Sequence, residues 1–281
     1  MTTNQDLNPT RPPRRLLGIW AHPDDEAYLS ADLMARTIEA GGSVTLVTIT
    51  DGEGGFGADD DRSDGAKAAH RRAELIEAMA AIGVRDIRFL GVADGEVADQ
   101  LSRHSTSSPL VDRLTREIRR AVPELTVTFG PDGITGHPDH VACSRLATRA
   151  WSETRIGELW YAAKSDEWMN RWDHLHRRLG VIMCERSTED GESAGLSDSV
   201  VDHRFVLGGD RLATKRRVLA AHRSQTEMIA GFMGEDVYRE WIAEECFRSP
   251  TEAELFDADP YLALANWCHP RCHQHAERTW S

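Results

Sequence analysis

Short apolar runs alternate with amphipathic helical stretches through the first half of the chain, and this alternation leaves few folds open. RRLLGIWA (14–21) reads as a buried strand, and SVTLVTITDG (43–52) as a second one rich in β-branched residues. Between them EAYLSADLMARTIEAGG (26–42) reads as a helix closed by Gly41 and Gly42. The pattern continues with a helix over 65–83, a strand over 86–92, a helix over 109–122 and a strand over 125–131. A helix over 137–151, opened by Pro138, and a fifth strand over 157–164 complete it. This order predicts an α/β, Rossmann-like fold: a mostly parallel sheet with helices on both faces. Ligands of such sheets bind beyond the carboxyl ends of the strands, near the switch in strand order. His22–Glu26, Asp51–Gly57, Asp94–Glu96 and Gly136–His140 all fall at predicted strand ends.

The second half is less regular. A polar loop (187–198) leads to a strand over 199–207 and a helix over 208–225, on which Lys215 is expected to be solvated. Residues 1–14 read as a disordered leader, 15–249 as one domain, and 250–281 as an irregular C-terminal extension packed on it. The formal charge of −13 comes without a basic stripe, which makes nucleic acid and membrane surfaces poor partners. No apolar run reaches the length of a membrane span, and the N-terminus lacks the apolar segment of a secretory signal. Five cysteines, an odd number, argue against a disulfide framework and place the chain in the cytoplasm by default. A homo-oligomer is compatible with all of this.

Asp24 and Asp25 stand side by side, and neighbouring carboxylates repel unless a cation holds them. A second cluster, GHPDH (136–140), puts His137 and His140 three apart at a helix start, where they face one side. Together His22, Asp25, His137 and His140 offer the imidazole and carboxylate donors of a catalytic Zn²⁺. The same donors suit Fe²⁺, Mn²⁺ or Co²⁺. A plainer reading of either motif alone is an acidic helix cap. The acidic turn after the first strand also speaks against a dinucleotide, whose pyrophosphate needs a Gly-rich turn there.

AHPDDE (21–26) followed by GHPDH resembles the PIG-L/LmbE-like family of zinc-dependent N-deacetylases. That family includes deacetylases of N-acetylglucosaminyl lipids and of the mycothiol and bacillithiol precursors, and mycothiol-conjugate amidases. TDGE (50–53), RRAEL (71–75), FLGVADG (89–95) and AHRSQ (221–225) match it too, so the resemblance runs over residues 15 to 230. It implies His22, Asp25 and His140 as metal ligands and Asp24 as general base. It implies that His137 stabilises the oxyanion with the metal, and that Asp139 orients that histidine. Arg71 is implied to bind substrate hydroxyl or phosphate oxygens and Asp94 a sugar hydroxyl; the alternative for Arg71 is an intrahelical pair with Glu74.

The implied activity is hydrolysis of the N-acetyl amide of an N-acetylglucosamine-type sugar or its conjugate, a small-molecule substrate. A thiol-conjugate amidase would keep the mechanism and change the substrate. A non-catalytic sugar-binding module is a third reading, but binding alone needs neither Asp24 nor His137. Glu53 and its glycines suit a flexible loop over the pocket, and His222 a packing or supporting role. Cys268, His269, Cys272, His273 and His275 have ligand chemistry, but without a second ligand pair they read as a polar terminal segment rather than a structural zinc site.

Overall fold

The computed structural model describes residues 11–102, 108–179 and 201–256. Seven strands form one sheet: β1 (Arg15–Trp20), β2 (Ser43–Thr50), β3 (Asp86–Val92), β4 (Leu125–Phe129), β5 (Glu158–Ala163), β6 (His203–Val206) and β7 (Glu244–Arg248). Their order is β3-β2-β1-β4-β5-β7-β6. The first five run parallel, and only β7 is reversed against both of its neighbours. The expected mixed α/β fold with a mostly parallel sheet is therefore present. The central strands are apolar because they are covered on both faces: Leu16, Leu17, Ile19 and Trp20 of β1 and Val127 and Phe129 of β4 are all buried.

The chain winds outward from β1 to β3, then crosses back to β4 and winds the other way. The carboxyl ends of β1 and β4 thus flank the switch in strand order, where a crevice opens. Both His-Pro-Asp motifs, 22–24 and 137–139, leave the sheet there.

The helix expected over 26–42 is two helices, α1 (Asp25–Leu29) and α2 (Ala31–Glu39), broken at Ser30. A new helix start inside the protein exposes N–H groups that need acceptors. Glu245 of β7 supplies them, accepting from the N–H of Asp32 at 2.9 Å and of Leu33 at 3.2 Å. Next come α3 (Asp64–Ala80), α4 (Val97–Ser102), α5 (Pro109–Ala121), α6 (Pro138–Thr154) and α7 (Asp166–Leu179). The expected helix over 208–225 is likewise divided, at His222, into α8 (Gly209–Ala221) and α9 (Arg223–Met233). Lastly α10 (Glu235–Trp241) leads into β7, and α11 (Glu252–Phe256) follows it.

Lys215 of α8 is not solvated. Its ammonium and the Glu245 carboxylate are both 0% exposed and 2.9 Å apart, and it also donates to the Tyr28 carbonyl at 2.8 Å. The helix face that seemed open in sequence is covered because β7 brings an acid beneath it. None of the described helices is long and apolar enough to cross a membrane. The cysteine-histidine tail lies outside the described residues, as does the first part of the leader.

Candidate active site

β1 ends at Trp20, and the next turn carries His22, Pro23 and Asp24 into α1. Asp24 has φ of 125°, a backbone conformation unfavourable for any residue with a Cβ. Two elements hold it there. Its N–H donates to Glu26 Oε2 at 3.0 Å, and Glu26 Oε1 is bound by His222 Nε2 at 2.7 Å. From α3, Arg71 reaches Asp24 Oδ1 at 3.2 Å and also donates to the Pro23 carbonyl.

Opposite, β4 ends at Phe129, whose ring stacks on His140 with centroids 4.2 Å apart. His140 Nδ1 lies 3.1 Å from the Gly133 carbonyl, which accepts only a hydrogen bond, so Nδ1 carries the proton. The Nε2 lone pair is then free. On the other side, His22 Nε2 lies 3.0 Å from Asp94 Oδ1 and 3.4 Å from Asp139 Oδ2. Two carboxylates likewise put the proton on Nε2 and free Nδ1.

The two free lone pairs face each other. His22 Nδ1 and His140 Nε2 are 3.1 Å apart, His140 Nε2 is 3.3 Å from Asp25 Oδ1, and His22 Nδ1 is 3.6 Å from Asp25 Oδ2. A tetrahedral ion with bonds of about 2.0–2.2 Å sets its ligand atoms about 3.3–3.6 Å apart. Two imidazole nitrogens, with one oxygen of Asp25 near each and Asp25 Oδ2 also accepting from the His22 N–H at 2.7 Å, therefore suit one face of a divalent-metal site. The nitrogens of His22, His137 and His140 also lie within 4.8 Å of one another, as do the donor atoms of His22, Asp94 and Asp139.

The electrostatics agree. Burial alone would lower the His22 pKa, but the carboxylates of Asp139, Asp25 and Asp94 raise it well above the ordinary value: the position demands positive charge. Burial would lift Asp25, yet His140 and His22 hold it at about 2. Asp24 is pushed up to about 7 by burial, against the opposing pull of Arg71. Burial lowers His140 to about 4. His137 is lowered as well, by partial burial and by His22.

The remaining expected residues reach the same crevice, with changed contacts. Asp139 does touch His137, but through its backbone N–H, which donates to His137 Nδ1 at 3.2 Å. Its carboxylate accepts from the N–H groups of Gly95 and Val97 and faces His22. Arg71 lines the cavity, is 3% exposed, and is held by Asp24 and the carbonyls of Pro23 and Gly52. It does not pair with Glu74, whose carboxylate binds the Ser224 N–H and hydroxyl at 2.9 and 2.6 Å. Asp94 lines the pocket and also accepts from Gly54 N–H at 3.0 Å. The loop around Glu53 is pinned rather than loose: Glu53 accepts from Asp94 N–H, and Gln225 donates to the Gly55 carbonyl. RRAEL and AHRSQ are thus one frame around Asp24, with His222 in a supporting role. Sequence reading missed Glu26, whose signal was only its place at the end of AHPDDE. The whole site opens on a cavity of about 520 Å³.

A parallel α/β sheet with a His-His-Asp donor face at its switch point defines a class of metal-centre proteins, and comparison with known proteins narrows it. Residues 17–151 match the family described as PIG-L, GlcNAc-PI de-N-acetylase. A 1D-myo-inositol 2-acetamido-2-deoxy-alpha-D-glucopyranoside deacetylase 2 from Catenulispora acidiphila is 33% identical, with 78% of this chain and 82% of that protein aligned. A deacetylase of the same name from Salinispora arenicola is 37% identical over 77% of this chain and 74% of its own. The chain belongs to the PIG-L family. Among solved structures, N,N'-diacetylchitobiose deacetylase from Pyrococcus horikoshii superposes with a TM-score of 0.55 at 22% identity, covering 90% of this chain and 89% of its own. A 4-carboxy-2-hydroxymuconate hydratase from Pseudomonas putida does so with 0.51 at 14% identity, covering 84% of this chain and 95% of its own. The fold thus hosts more than one reaction, and the site must decide between them.

Proposed function

We propose that this chain is a metal-dependent N-deacetylase, with Zn²⁺ as its metal, that hydrolyses the acetamide of a glucosamine-type sugar or its conjugate. One observation carries the reading: His22 Nδ1 and His140 Nε2 lie 3.1 Å apart, each within 3.6 Å of an oxygen of Asp25, beside a second carboxylate, Asp24, that Arg71 holds apart from them. The acetamido-deoxyglucopyranoside named for the relatives supports the substrate class.

His22, Asp25 and His140 would hold the ion. When bound, a divalent metal supplies Lewis acidity toward the amide carbonyl and makes water nucleophilic near neutral pH. Asp24 takes a proton from the attacking water. Burial raises its proton affinity against the pull of Arg71, which suits a group that accepts a proton and then returns it. Arg71 keeps its carboxylate turned to the cavity. His137 has Nδ1 occupied by the Asp139 N–H, so it presents Nε2–H as a neutral donor to the oxyanion. As the C–N bond breaks, Asp24 passes its proton to the leaving amine, and acetate and the free amino sugar result.

Amine release from N-acetylglucosamine and its inositol glycoside tests this directly. Chelation should abolish turnover and Zn²⁺ should restore it, while Asp25→Ala should lack metal by elemental analysis. Turnover by metal-free protein, or full metal content in Asp25→Ala, would overturn the assignment.

A further inference from the structure

The cavity has two unlike walls. One carries the carboxylates and imidazoles described above. The other is built from Trp168 of α7, Ile229 of α9, Trp241 and Ile242 at the end of α10, and Tyr28 of α1. Its aromatic rings are stiffly mounted, with Trp168 and Trp241 centroids 5.7 Å apart and Tyr28 and Trp241 5.6 Å apart. Neither indole N–H is available to a ligand. Trp168 Nε1 donates to the Trp241 carbonyl at 3.1 Å, and Trp241 Nε1 to His176 Nε2 at 3.0 Å. What the indoles offer the cavity is hydrocarbon.

Lys164, at the end of β5, also lines this side. Its ammonium sits 4.7 Å over the Trp168 ring and donates to the Glu244 carbonyl at 3.3 Å. No carboxylate among the described residues lies within ion-pair distance of it, whereas the cation on the opposite wall, Arg71, is taken by Asp24. In a chain of net charge −13 a lysine that faces a cavity without a carboxylate partner is a selective feature. A polyol against this wall would lose water hydrogen bonds that the rings cannot replace. An apolar group would lose none.

We propose that this wall is a second subsite, which seats an apolar substituent of the substrate and binds that substituent's anionic oxygen group, a carboxylate or a phosphate, with Lys164. The proposal rests on the deacetylase reading, because it names the group carried alongside the amide at that site. The substrate would then differ from the inositol glycoside named for the relatives.

The test is a series of 2-acetamido-2-deoxyglucosides whose aglycones are methyl, inositol, phenyl, 4-carbamoylphenyl, 4-carboxyphenyl and 4-phosphophenyl. kcat/KM should rise about tenfold from methyl to phenyl. It should rise about tenfold again from carbamoylphenyl to one of the two anionic aglycones, which identifies the anion. In Lys164→Gln the second ratio should fall to near one, and in Trp168→Leu the first should. An inositol glycoside that matches the aryl glycosides, or ratios unchanged in both variants, would overturn the subsite. Calorimetric binding of the 4-carboxyphenyl and 4-phosphophenyl amine products separates the two claims. If no glycoside releases amine, the deacetylase reading has failed. Product binding that weakens about tenfold in Lys164→Gln would still uphold the subsite, and equal binding would reject it.

Discussion

Two cation–carboxylate pairs sit at the two ends of α1, Asp24 at its start and Lys215 on the Tyr28 carbonyl near its finish, and they are built to opposite purposes. Lys215 and Glu245 are sealed from solvent, and every demand of that carboxylate is met by the ammonium and two helix N–H groups. Asp24 has one guanidinium behind it at 3.2 Å, a strained backbone, and a side chain left facing the cavity. A saturated buried pair fixes architecture. A half-satisfied one beside a cavity keeps capacity for a reacting proton. Burial and the count of committed partners both separate the two: the first pair is 0% exposed, while the Asp24 side chain is 18% exposed.

The largest expected effect breaks the reactive pair. Asp24→Asn should cut kcat by about 10²–10⁴-fold, as loss of a general base does, with the denaturant midpoint little changed. Next comes the sealed pair. Lys215→Met leaves Glu245 uncompensated and should cost about 3–5 kcal/mol in denaturant unfolding. Adding Glu245→Gln should recover part of that loss, since no buried charge is then stranded. If Lys215→Met instead left stability intact and abolished turnover per folded molecule, the division drawn above would be wrong.

Arg71→Gln should lower kcat by on the order of 10²-fold through misplacement of Asp24. It should also shift the pH profile. Arg71 lowers the Asp24 pKa, so its removal raises that pKa, and the acidic limb of kcat should move to higher pH. A purely structural arginine would leave the limb in place. The smallest effect concerns His176, another saturated group, whose Nε2 accepts from Trp241. Burial lowers its pKa from the ordinary 6.5 to about 4. The unfolded chain therefore binds the proton first, and stability present above pH 6.5 should fall as pH drops toward 4. The denaturant midpoint in wild type should drop more steeply over that interval than in His176→Gln.

The parallel strands and the convergence of the two His-Pro-Asp motifs were legible because each is local. Apolar runs report burial on both faces, and His22–Asp25 and His137–His140 each leave one strand end. What escaped depended on contacts distant in sequence. Glu244 and Glu245 disguised β7 as a polar segment, since their partners Arg204 and Lys215 lie elsewhere in the chain. Lys215 looked solvated for the same reason. The break at Ser30 could not be seen without Glu245 to receive the N–H groups it freed. Asp139 meets His137 through its amide, while its carboxylate turns to Gly95, Val97 and His22, a distinction that spacing does not carry.

Arg71 lies directly beneath the loop after β2. A Cβ on Gly52 would fall within its guanidinium, and one on Gly55 would come within 2.6 Å of it. Gly65 and Gly231, by contrast, have open space around them. The loop and the arginine can therefore drift only together: a lineage that gained a side chain at position 52 would first have to surrender Arg71, and with it the seat of Asp24. Saturation mutagenesis of this loop should thus return glycine at 52, where φ of 69° is a second constraint, and a side chain at 55 only when positions 71 and 225 are varied in the same library.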